Sequence, residues 1–221
     1  HPTSAGPAGP AHPLRAERAR VGDRVHARRM DDEKATLHRY LRVQTDALLW
    51  KLEGVSERDA RMPLTPTGTN LLGIVKHVAA CEADYFGLVF DRPWPEPQPW
   101  LDDDAEPNAD MWATADESMA DVVAFAGRVR AFADETIASL DLDARGRVPW
   151  WGDRGDVTLH RVLVHMIAEV ARHAGHMDVL REQLDESAGL RPDVSNLPDV
   201  DAEWWVSYVA RLRAIAEAAP D

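Results

Sequence analysis

The chain has 221 residues, 45% of them hydrophobic, with eight Trp and a formal net charge of −13. Such a length and apolar content suit one large folded domain and exclude a wholly disordered chain. The acidity argues against nucleic acid or an anionic membrane surface as the main partner, and no apolar run reaches the length of a membrane span. Cys81 is the single cysteine, so no internal disulfide forms, which fits a reducing cytoplasm.

Residues 1–29 mix Pro, Gly, Ala and Arg without apolar periodicity and carry a local charge of +4, leaving −17 for the rest. They read as a disordered basic leader, with Met30 as a natural start and residues 30–221 as the folded domain. The first helix is predicted from about Asp32 to Glu53, with Leu37, Tyr40, Leu41, Leu48 and Leu52 at helical spacing and Gly54 as its cap. A turn-rich connection with Pro63 and Pro66 follows.

The second helix is predicted from Thr69 to Phe90. With His77 set at zero on a helical wheel, Ile74, Val78, Cys81 and Tyr85 fall at about 40° to 100°, and Glu82 at about 140°. His77 therefore borders the core face and Glu82 leans inward. Cys81 reads as a small buried hydrophobe, with a ligand or reactive-thiol role left open. Residues 91–111 form a long connection carrying Trp94, Trp100 and a DDDAE run, which reads as a solvated acidic loop.

A third helix is predicted from Ala115 to Leu140, with Thr114 and Glu117 as a capping box. A loop bearing Trp150 and Trp151 leads into the fourth, from near Asp156 to near Glu186, and a short accessory helix spans Ala202 to about Ala218. No strand-like alternation of useful length appears. The expected fold is all-α, with four main helices, the fourth central, and a short accessory C-terminal helix.

The fourth helix carries the chemistry. With His165 at zero, Glu169 falls at about 40°, His173 at about 80° and His176 at about 20°, on or beside the apolar face at about 60° to 160°. A carboxylate and imidazoles turned towards a core are costly without a compensating partner. A divalent metal is such a partner: Glu169 and His173 lie one turn apart, and His77 supplies a third ligand from a facing helix. This ligand set suits Zn²⁺ and accepts Ni²⁺, Fe²⁺ or Mn²⁺. His176 is open as a fourth ligand or a nearby base, Glu82 is a further candidate beside the ligands, and His165 falls outside them. Trp150 and Trp151 are candidate pocket walls, with a plug at the end of the helices as the alternative.

The segments LLGIVKHVAACEADYF and LHRVLVHMIAEVARHAGHMDVLREQLDESAG closely resemble the actinobacterial mini-circle proteins of the DinB/YfiT-like superfamily. The resemblance covers roughly Met30 to Tyr208. It implies an up-down-down-up four-helix bundle whose divalent metal is held by His77, Glu169 and His173. Many relatives have histidine where Glu169 stands; the mycothiol-dependent maleylpyruvate isomerases resemble this chain in using glutamate. His176 stands where many relatives have glutamine, Ala168 replaces a common glutamate and His160 a common arginine. The resemblance implies a metal-dependent S-transferase or isomerase taking a low-molecular-weight thiol of the mycothiol type and an electrophilic substrate. A metal-dependent hydrolase and a non-enzymatic stress-response or structural bundle are the alternatives, and homodimer formation is left open.

Overall fold

The computed structural model describes the backbone of residues 13–220 and the side chains of residues 30–220. Its helices are α1 (Pro13–Trp50), α2 (Glu57–Arg61), α3 (Leu71–Phe86), α4 (Met119–Ser139), α5 (Leu159–Asp185) and α6 (Ala202–Glu217). The first twelve residues of the expected leader lie outside the described residues, and the side chains of residues 13–29 are likewise not described. The α1 backbone starts at Pro13, well ahead of the expected Asp32. Proline is suited to a first helical turn, and the Ala, Arg and Glu that follow favour helix without any apolar stripe.

Side-chain caps fix the other helix starts. The Asn70 carboxamide oxygen accepts from the Gly73 N–H at 2.7 Å, and the Thr158 hydroxyl from the Arg161 N–H at 3.3 Å. Helix α4 begins at Met119, four residues later than expected, because the full capping box is Ser118 with Asp121. The Thr114–Glu117 pair does form one bond, from the Thr114 N–H to the Glu117 carboxylate at 2.7 Å, but it closes a turn before the helix.

The expectation of no strands needs correction. Strands β1 (Arg145–Arg147) and β2 (Asp156–Thr158) form a small antiparallel hairpin, with Gly146 opposite Val157. Three-residue strands are too short to show a period of two. Gly146 is required there, since a Cβ would meet the Val89 carbonyl oxygen at 2.6 Å. The hairpin encloses a 3₁₀ segment, Pro149–Arg154, bearing both tryptophans of that loop.

Helix α1 packs on α5, and α3 packs on both α4 and α5. The central helix is α3, not the one expected: apart from His77, Cys81 and Asp84, all its residues are buried. A helix buried on nearly every side is surrounded by the rest of the fold, with Lys76 and Glu82 meeting polar partners there, whereas α5 keeps a polar outer face. Between α3 and α5 two stripes face each other in opposite chain directions. The His77 ring meets His173 at 4.9 Å, and two turns on the Tyr85 ring meets His165 at 4.9 Å.

Candidate metal centre and its cavity

One ligand atom each from His77, Glu169 and His173 lies within 4.8 Å of the other two. Ligands about 2.1 Å from one tetrahedral metal sit roughly 3.4 Å apart, so the group is near coordination spacing. The His173 Nε2 is 3.0 Å and the His77 Nε2 3.9 Å from the Glu169 Oε1. Burial, with His77 alongside, holds the His173 imidazole below its ordinary pKa, which keeps it neutral and ready to ligate. Its Nδ1 is buried without a hydrogen-bond partner.

His77 is aimed by a residue that the sequence did not single out. Its Nδ1 meets the Asp110 Oδ2 at 2.6 Å, leaving Nε2 towards Glu169. Asp110 sits in a 3₁₀ turn, Ala109–Met111, that lies directly on α3. The approach depends on Gly73, where a Cβ would stand 1.7 Å from the Met111 carbonyl oxygen. Asn70 and Lys76 hold the same turn by donating to the carbonyls of Met111 and Trp112, at 3.3 and 3.1 Å. Nothing in the acidic connection's composition marks Asp110 out from its neighbours, because its partner is fixed only by the chain's return to α3.

Among the described residues, no lysine or arginine pairs with Glu169 or Asp110. Two carboxylates and two imidazoles thus share one cluster without a cation, a donor set that fits a divalent metal. Cys81 Sγ lies 3.7 Å from the His77 Nε2, and burial together with the Glu169 charge pushes its thiol pKa up to about 12. With no metal beside it, the thiol therefore stays protonated.

The remaining candidates are distributed unevenly. His176 is exposed, its ring edge-on to His173 at 5.5 Å, and lies outside the ligand group. Glu82 is buried but turned away, both carboxylate oxygens accepting from Arg42 Nη1 at 3.2 Å and one from the Thr45 hydroxyl at 3.3 Å. Trp94 and Trp100 pack edge-to-face on Phe125 of α4.

Trp150 and Trp151 instead line a cavity of about 460 Å³ that reaches Cys81 and Glu169. The Trp150 indole N–H donates to the Tyr85 hydroxyl at 3.2 Å, and the Trp151 ring stands edge-on to His165 at 4.9 Å. Burial lowers the His165 pKa. His165 thus belongs to the cavity wall and not to the ligand group.

No helix among the described residues is long and apolar enough to cross a membrane. A comparison with curated proteins returns no match. The family model described as mycothiol-S-transferase matches residues 36–186, a span holding α3, the acidic connection, the hairpin and all of α5. With more than half of its length matched, the chain belongs to the mycothiol S-transferase family of DinB/YfiT-like proteins.

Proposed function

We propose that the protein is a divalent-metal-dependent S-transferase, which joins a small-molecule thiol of the mycothiol type to an electrophile. His77, Glu169 and His173 are its metal ligands, and zinc is the metal that the two-imidazole, one-carboxylate set suits best. The observation that carries the reading is the uncompensated cluster: Glu169 and Asp110 beside two imidazoles, with no basic side chain paired to either carboxylate among the described residues. When bound, the metal lowers the pKa of a thiol ligand and makes a thiolate available at neutral pH. Asp110 accepts the His77 Nδ1–H and so keeps the Nε2 lone pair free for coordination. Glu169 stands on the wall of the cavity, so a ligand there reaches the centre directly. Trp150, Trp151 and Tyr85 keep water from the apolar side of that cavity.

The reading includes the up-down-down-up bundle of the superfamily, formed by α1, α3, α4 and α5. Two features support it: the antiparallel α3 and α5 stripes, and the long 87–118 connection, which can return the chain to start α4 parallel to α3.

The test begins with metal analysis of protein purified without a histidine tag. A thiol-conjugation assay follows, reading free thiol consumed in the presence of an electrophilic bimane or a quinone. About one divalent metal per chain and metal-dependent thiol consumption are expected. Metal-dependent ester cleavage without thiol would replace the reading with the hydrolase alternative. A bound metal with neither activity would leave a structural centre.

A further inference from the structure

The cavity beside the metal centre has an electrostatic character that the transferase reading does not supply. It is lined by Tyr85, Trp150, Trp151 and His165, with carboxylates from Asp84 and Glu169, and none of its lining residues is lysine or arginine. Glu169 is engaged by the two histidines. Asp84 is not: its one side-chain partner among the described residues is the Gln98 amide, at 3.4 Å, and no basic group offsets its charge. Burial raises its pKa from the ordinary aspartate value, only partly offset by the Gln98 amide.

The aromatic walls complement that charge. The electron-rich faces of indole and phenol rings attract cations, most strongly where water is excluded. Trp151 already shows this behaviour on the protein's own side, with the Arg161 guanidinium 5.0 Å from its ring centroid. The second large indole, Trp150, remains about half exposed, with its N–H held on Tyr85.

We propose that this cavity selects a substrate with a positively charged centre beside a flat apolar group. Asp84 pairs with the cation, Tyr85, Trp150 and Trp151 contact the apolar part, and carboxylate-bearing electrophiles are turned away. The inference rests on the metal-centre reading only in calling the bound molecule a substrate. The cation preference itself is a property of the cavity.

The test is calorimetric titration of the full chain, with and without one equivalent of zinc, using benzyltrimethylammonium, benzyl alcohol and benzoate. The ammonium compound is expected to bind about tenfold more tightly than the alcohol, with benzoate weakest. Asp84→Asn keeps an oxygen for Gln98, and a melting curve checks that it folds. It should bring the ammonium compound to the affinity of the alcohol while leaving the alcohol unchanged. Trp150→Ala should weaken both. Equal binding of the three probes, tightest binding of benzoate, or an ammonium preference that survives Asp84→Asn overturns the proposal. The zinc arm separates the two readings. Zinc uptake without cation preference refutes the selectivity and leaves the metal centre. Cation preference without zinc uptake supports the selectivity and refutes the centre.

Discussion

Two polar clusters lie on different sides of α3, and they differ in how their charge is met. Towards α1, the Glu82 carboxylate is buried against the Arg42 guanidinium, which also reaches Asp134, itself bonded to His38. Towards α5, Glu169 and Asp110 meet only imidazoles among the described residues. The first cluster brings its own cation and needs nothing from solution, although Arg42 Nη2 has no protein partner. The second is short of positive charge. An acid turned in from solvent, even a part-buried one such as Glu169, is therefore a pointer to a ligand only where the chain has failed to neutralise it.

The largest effect is expected from removing the cation of the first cluster. Arg42→Ala leaves Glu82 buried without a counter-charge, its side chain only 3% exposed, and is expected to cost about 3–5 kcal/mol in urea unfolding. Zinc affinity measured on the folded fraction should not change; a large loss there would mean that the clusters are one system.

The mirror experiment acts on the second cluster. Zinc at about a thousand times its dissociation constant should stabilise the protein by roughly 4 kcal/mol, and His173→Ala should abolish that increment. An equal thermal shift in the variant would remove His173 from the ligand set. Asp110→Asn is a milder change. By disturbing the orientation of His77 it should weaken zinc binding about 10- to 100-fold in a competition assay, with little effect on metal-free stability.

The smallest effect concerns pH. Burial holds the folded His173 pKa below the ordinary 6.5, so the unfolded chain binds a proton at that site first as pH falls. The stability that neutral His173 contributes is thus full above 6.5 and is lost as pH drops through the lower, folded pKa. In metal-free protein, stability should decline over that window, and His173→Gln should flatten the decline. A steeper decline in the variant would contradict the assignment.

The contrast between the clusters also explains what the sequence reveals and what it hides. The spacing of Glu169 and His173 is local, and the periodicity of α5 leaves one face for both, so the pair is legible from helical geometry alone. The wheel also turns Glu82 inward, as the fold does. It does not say towards which neighbour, because α3 is enclosed on nearly every side. Asp110 and Asp84 owe their settings to the 87–118 connection, whose path follows no periodic rule. The tryptophans of the two loops look alike in sequence, yet one pair fills space against Phe125 and the other bounds an opening. The hairpin that decides the second case is too short to leave a pattern.

The seating of Met111 on Gly73 has a kinetic consequence. The His77–Asp110 contact exists only once the chain beyond Phe86, more than twenty residues of it, has closed back onto α3, and such closures come at an entropic cost that delays them relative to helix formation. The geometry of the proposed metal centre is then complete only after the helices have formed. A refolding chain should acquire helical signal before it acquires tight zinc binding, and Gly73→Ala should widen the interval between the two events by obstructing the final docking step.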